Sequence, residues 1–283
     1  MIGSSPKCAI SLRLPILFGT GLLISLAFVW LNPKVADASL QLSAPNSQNS
    51  ITLEQGKPVE RELKWGETHS YVVTLAAGQY LRIEIEQRGA DVAFALLSSD
   101  QQKLFEFQAV EWPWRNESVP VVAQRAGSYY IQVRPLFENP PLSRYRVNIK
   151  ELRAATATDN DRVAAQKYVA DAYQLHRKGT QDAHREAIPK LEMALSLARK
   201  VEDQELEAKI LFAFGQFHSG LHDQPKAIEY FEKALRLNRS LGERLGQART
   251  LLRLGYSLTE LGQNLQARER LQQALPLYRE AGE

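Results

Sequence analysis

The sequence predicts a multidomain chain: an antiparallel β-sandwich followed by an all-α solenoid of helical hairpins. Three observations carry this prediction. From Ile51 to about residue 150, short runs alternate apolar and polar residues, with Gly, Pro, Asn, Asp and Ser between them, as half-buried strands do. From about residue 158 the apolar spacing becomes helical and the strand signal stops. In this second region a skeleton returns every 40 residues: Ala187, Ala227 and Ala267; Ala194, Ala234 and Ala274; Leu197, Leu237 and Leu277. A fixed period of that size marks stacked units, since one helical hairpin cannot bury its apolar face alone.

The N-terminus comes before both domains. Residues 1–13 carry Lys7 and Arg13 and no acid, and Leu14 to Leu31 carries no charge at all. Ala36 and Ala38 follow, spaced like the small residues before a signal-peptidase cut. Residues 1–38 are therefore expected to be a signal peptide or an uncleaved N-terminal membrane anchor. Either places the remainder outside the cytoplasm, in the periplasm or at the cell surface, because the positive charges precede the apolar run. Residues 39–50 have the composition of a polar linker. The one cysteine, Cys8, lies ahead of the apolar run. It has no intrachain partner, and a lipoprotein signal would put its cysteine after that run.

Net charge is +3, and its distribution is informative. Residues 40–150 balance 12 basic against 12 acidic side chains, and residues 151–283 carry 20 against 19. Neither part has the basic excess that phosphate binding needs, so nucleic acid is not an expected partner.

Residues 51–152 read as the β-sandwich domain. "THSYVVTL" puts His69, Tyr71, Val73 and Leu75 on one side, and "QYLRIEIEQR" puts Leu81, Ile83 and Ile85 inward. Seven or eight such runs predict an antiparallel sandwich. The order "WGETHSYVVTLAAGQYLRIEI", "DVAFALLSSDQQKL", "AGSYYIQVRP", "SRYRVNI" resembles the bacterial pre-peptidase C-terminal type of β-sandwich. That resemblance implies a non-catalytic attachment of secreted or surface proteins. Where the family often has an acidic pair before the central strand, this chain has Ala90-Asp91. In "EWPWRNES", Trp112 and Trp114 flank a proline. They are candidates for sugar or surface contact, or for a lid folded over the sandwich edge.

Residues 158–283 read as three hairpins of 40 residues. Thr158 with Asp161 looks like a capping box opening the first helix. Gly215 and Gly255 each precede an alanine by 12 residues, Ala227 and Ala267, and the steps to Phe231 and Leu271, then to Ala234 and Ala274, repeat. This spacing resembles the tetratricopeptide repeat. Ile228, Phe231 and Leu235 share one helix face and are expected to fill the space between hairpins. Repeat one is degenerate, with Leu175 in place of the glycine and a polar first helix, as a terminal unit facing the sandwich or solvent should be. Pro189 and Pro276 fall within second helices, where a kink or loosened turn is expected. The array closes at "YREAGE" without a polar capping helix, an arrangement that leaves an apolar face to be covered.

The tetratricopeptide resemblance implies a concave groove that binds an extended protein or peptide partner. Carried onto this sequence, its positions are Lys209, Phe212, Gln216 and Ser219, then Arg249, Leu252, Tyr256 and Thr259, with Arg253 adjacent. Phe212 and Gln216 stand where relatives that clamp a C-terminal carboxylate have Lys and Asn, whereas Arg249 and Arg253 suit an acidic side chain. Each residue has an alternative as solvated surface. The whole order, signal, sandwich and repeats, also resembles the front part of bacterial proteins that end in a caspase-like CHAT peptidase domain.

Catalytic chemistry finds no support. There is no G-x-S-x-G elbow and no phosphate loop. His218 and His222 are four apart but lack a third ligand, so no metal and no cofactor are expected. The sequence thus predicts a non-enzymatic extracytoplasmic protein–protein interaction scaffold that binds through the repeat groove. Its alternatives are the regulatory front of a CHAT-type peptidase lacking the catalytic domain, and a polysaccharide-binding envelope protein.

Overall fold

The computed structural model describes residues 50–88, 92–108, 116–136 and 143–281. The leader, the linker to residue 49, Ala90-Asp91, Trp112, Trp114 and Glu283 lie outside the described residues.

Strands come first: β1 (Ile51–Thr52), β2 (Val59–Leu63), β3 (His69–Leu75), β4 (Gln79–Arg88), β5 (Val92–Leu97), β6 (Lys103–Gln108), β7 (Asn116–Val122), β8 (Gly127–Pro135) and β9 (Ser143–Ala154). They form two sheets, ordered β1-β3-β8-β5-β6 and β2-β9-β4-β7. The pairings are antiparallel except one: β1 lies parallel to β3, with Ile51 opposite Tyr71. The expected antiparallel sandwich is therefore mixed at that edge. Between β1 and β3 the chain visits the other sheet as β2, and such a crossover allows a parallel return where a hairpin would not.

The period of two fixes which side chains meet between the sheets. His69, Tyr71, Val73, Leu75, Leu81, Ile83 and Ile85 are all buried, as predicted. Tyr145 of β9 joins the sheets through its hydroxyl, which bonds His69 Nδ1 at 2.7 Å and the Tyr71 hydroxyl at 2.6 Å. Buried polar atoms thus satisfy one another across an apolar core. Burial pushes the Tyr145 hydroxyl far above its ordinary pKa and the His69 imidazole below its own, which keeps the cluster neutral.

Six helices follow: α1 (Asp159–His176), α2 (Gln181–Lys200), α3 (Gln204–Gly220), α4 (Gln224–Ser240), α5 (Arg244–Glu260) and α6 (Asn264–Ala281). They pair as the three predicted hairpins. Three of their N-termini are closed by side chains. Thr180, Asp203 and Asp223 accept hydrogen bonds from Ala183 N, Leu206 N and Lys226 N, which satisfies amides that have no partner within the helix.

The capping box expected at α1 is not formed. Thr158 has helical dihedrals (φ −86°, ψ −12°) and makes no side-chain cap bond, whereas a capping side chain needs extended backbone. Asp159 does that work, accepting from Thr156 N at 2.6 Å and Thr156 Oγ1 at 2.8 Å. Asp161 pairs instead with Lys200 of α2 at 2.8 Å. α2 and α6 each continue as one helix through Pro189 and Pro276.

The same aspartate ties the two domains together. Asp159 accepts a bidentate pair of bonds from Arg153 at the end of β9, at 2.6 and 3.0 Å, and a third from Arg162 at 3.0 Å. Arg162 also reaches Asp203 at 3.3 Å, so the clasp extends to the cap of α3. α1 packs on β7, where Gln166 Nε2 donates to the Ser118 carbonyl at 2.9 Å. The degenerate first hairpin faces the sandwich, and one cluster of buried apolar residues runs from between the sheets through α1, α2 and α3.

Small residues set how closely the helices of a hairpin approach. A Cβ added at Gly215 would lie 2.5 Å from Phe231 Cδ1, and one at Gly255 would lie 2.6 Å from Leu271 Cδ2. Both are shorter than any real contact, so the glycines recur because the rings and branched chains of the second helix lie directly on the first.

Candidate functional site

The first helix of each hairpin contributes to one face of the array, where α3 touches both α1 and α5. Near the C-terminal ends of these helices is a pocket of about 230 Å³ lined by His176 of α1, Gln216, Ser219 and Gly220 of α3, and Arg253 and Tyr256 of α5. The 40-residue period is what assembles it, because equivalent turns of successive first helices stack side by side.

Of the predicted groove residues, the structure brings Gln216, Ser219, Arg253 and Tyr256 together here. Lys209 lies elsewhere, in a cleft against the β-sandwich. Arg249 and Leu252 are half-buried beside the pocket-lining turn, and Thr259 is exposed, with its hydroxyl donating to the Gly255 carbonyl at 2.9 Å. Phe212 corrects the prediction. It is 1% exposed, and its ring sits 5.4 Å from that of Phe231, so it belongs to the core between hairpins. Gln216 is also buried, and its Oε1 accepts from the Tyr173 hydroxyl at 2.8 Å. It fixes α3 to α1 rather than standing ready for a partner. Trp112 and Trp114, the candidate sugar contacts, lie outside the described residues.

Two contributors escaped the sequence reading. His176 follows the degenerate Leu175, so the repeat register gave it no role. In the structure its ring stacks on Phe217 with centroids 4.5 Å apart and planes 8° apart, and lies 4.6 Å from that of His184. Gly220 reads as a helix-ending glycine, yet it also makes room for an imidazole: a Cβ there would be 2.5 Å from His184 Nδ1. The signal available in sequence was the aromatic-rich "FGQFHSG" facing two histidines on α1 and α2.

Electrostatically the pocket is cationic. Arg253 makes no ion pair among the described residues, and Tyr256 leaves 49% of its surface open. A cation beside an exposed ring suits a segment that brings a carboxylate and an apolar side chain together. No group of three or more potential ligands is placed to hold a metal ion among the described residues. His218 instead lies flat on Tyr230, with centroids 5.4 Å apart, and burial lowers its pKa.

Comparison with known proteins bears on the helical region directly. The tetratricopeptide repeat family matches residues 175–240 and 225–280. Among solved structures, the TPR domain of Arabidopsis FLU is similar at 18% identity, over 44% of this chain and 99% of that one, with a TM-score of 0.40. The pre-peptidase C-terminal domain of collagenase from Bacillus anthracis is similar at 18% identity, over 38% of this chain and 99% of that one, with a TM-score of 0.31. No curated protein matches the chain. Among the described residues no helix is long and apolar enough to cross a membrane. Family match, 40-residue spacing and hairpin geometry agree, and residues 159–281 are a tetratricopeptide-type array joined to an N-terminal β-sandwich.

Proposed function

We propose that the protein is an extracytoplasmic, non-enzymatic scaffold that holds an acidic segment of a partner protein in the repeat groove. Tetratricopeptide repeats support protein–protein interaction as the general role. The observation that carries the finer reading is the pocket shared by α1, α3 and α5, with the Arg253 guanidinium and the exposed Tyr256 ring on one wall. A partner carboxylate forms a charge-assisted, bidentate bond with Arg253, and an adjacent apolar side chain covers Tyr256. Export is supported by the charge and hydropathy layout of residues 1–38.

Fluorescence anisotropy with octapeptide pools tests this. Pools rich in Asp or Glu beside Leu or Phe bind the wild-type protein, and basic pools do not. Arg253→Ala or Tyr256→Ala weakens binding about tenfold, as loss of one charged or aromatic contact does. Equal binding of acidic and basic pools, or undiminished binding by both variants, overturns the reading.

A further inference from the structure

A second cleft, of about 400 Å³, lies between the sandwich and the repeats. Its size is that of small-ligand sites, and domain joints are where such sites concentrate. One wall is the outer face of β4, with Arg82 and Glu84. The other is the first turns of α3 and α5, with Glu205, Lys209, Glu243 and Arg244.

Most of these charges are already matched. Arg82 pairs with Glu151 at 2.8 Å, Glu84 with Lys150 at 2.8 Å, and Arg244 with Glu280. Glu205 and Glu243 have no ion pair among the described residues. Protein crowding the Glu243 carboxylate at the cleft mouth, together with repulsion from Glu205, raises its pKa despite the attraction of Lys209. Two carboxylates so placed leave a surplus of negative charge facing the cleft.

A second observation is independent of charge. Asn238, at the cleft beside the last turn of α4, has no exposed surface, yet its Oδ1 has no hydrogen-bond partner. Its Nδ2 reaches only Thr250 Oγ1, at 3.4 Å. A buried acceptor without a donor is rare in native proteins and calls for a partner.

We propose that this cleft binds an alkylammonium or guanidinium group, such as a lysine or arginine side chain, between Glu205 and Glu243, with an N–H for Asn238. Such a cation supplies the missing charge and the missing donor together. An anion would meet the two carboxylates, and an uncharged group would leave them unmatched. The inference stands apart from the acidic-segment reading of the groove, since it uses none of the groove's residues.

The experiment is calorimetric titration of the full chain with acetyl-Gly-Lys-Gly-amide and with putrescine. Acetyl-Gly-Gln-Gly-amide and acetyl-Gly-Glu-Gly-amide serve as neutral and anionic controls. Both cationic probes, or one of them, bind at least tenfold more tightly than the controls. The tighter of the two tells whether a peptide or a free amine is the source. Glu205→Gln combined with Glu243→Gln lowers cation affinity about tenfold or more, whereas Arg253→Ala does not change it. Both glutamates are exposed, so the variant is expected to keep its melting temperature, and Glu205→Gln alone is the check if it does not. Equal binding of cationic and neutral probes, tighter binding of the anionic one, or full affinity in the double variant overturns the proposal.

Discussion

The helical array meets different neighbours at its two ends. At the first, α1 lies on the sandwich, bound by Gln166 to Ser118 and by the Arg153–Asp159–Arg162 clasp. At the other, α6 leaves Leu265 71% and Leu275 52% exposed. Leu275 occupies the repeat position of Leu235, which is 0% exposed in a cluster with Leu251 and Leu254 of α5. The same residue type at the same register is core in one hairpin and surface in the next. A repeat motif specifies which face is apolar, and stability comes only from the element that covers it.

The sharpest way to test that difference is a matched truncation. Leu235→Ala should cost about 2–5 kcal/mol, the range for a buried leucine. Leu275→Ala should stay within about 0.5 kcal/mol, as exposed positions do. Urea unfolding of the two variants measures this, and equal losses would mean that α6 is covered in solution.

The clasp at the first end comes next. Asp159→Asn removes a buried acceptor from Arg153 and Arg162, and should cost about 2 kcal/mol. Breaking a buried pair costs more, but Arg153 is about a third exposed and solvent offsets part of the loss. The Arg153 guanidinium holds the Asp159 carboxyl far below its ordinary pKa. A depressed carboxylate stabilises the fold above its unfolded pKa, near 4, and that contribution is lost as pH falls further. Melting temperature should therefore drop below about pH 4 in the wild type, and drop less in Asp159→Asn.

Third, Gly215→Ala and Gly255→Ala separate interior from end by a smaller margin. Alanine gains about 1 kcal/mol of helix propensity at either site. At Gly215 the added Cβ meets the fully buried Phe231 ring, and overpacking of about 1–3 kcal/mol should outweigh that gain. At Gly255 it meets Leu271, which is only half-buried and can rotate away, so the net change should be near zero. Thermal melts of both variants decide it.

The smallest contrast concerns caps. Thr180→Ala removes a bond to Ala183 N and should cost about 1 kcal/mol. Thr158→Ala removes no cap bond and should cost at most a few tenths. Chemical denaturation in parallel resolves the pair, and equal costs would restore the capping box to α1.

Much of the fold was legible because it rests on local periodicity. The alternation around Tyr71 and Ile83 named the inward faces of β3 and β4, and the 40-residue spacing named the hairpins and the glycines between their helices. The groove was legible only in part. Ser219, Arg253 and Tyr256 lie together as the repeat spacing implied, but Phe212 turned out to be core because Phe231 of α4 lies over it. His176 entered from a repeat too degenerate to register. The cleft with Glu205 and Glu243 had no sequence signal, since its walls come from β4, α3 and α5, more than 100 residues apart at the extremes.

The amino-acid sequence by itself determined a period of two followed by a helical repeat of 40, hence a sandwich, three hairpins and the face each would bury. Those are consequences of backbone geometry, which acts over a few residues at a time. Only the tertiary structure decided that β1 runs parallel to β3, that Asp159 rather than Thr158 closes α1, and that Leu235 is core while Leu275 is surface. Each of these depends on which distant element arrives to supply a hydrogen bond, a charge or an apolar cover, and local spacing does not encode that.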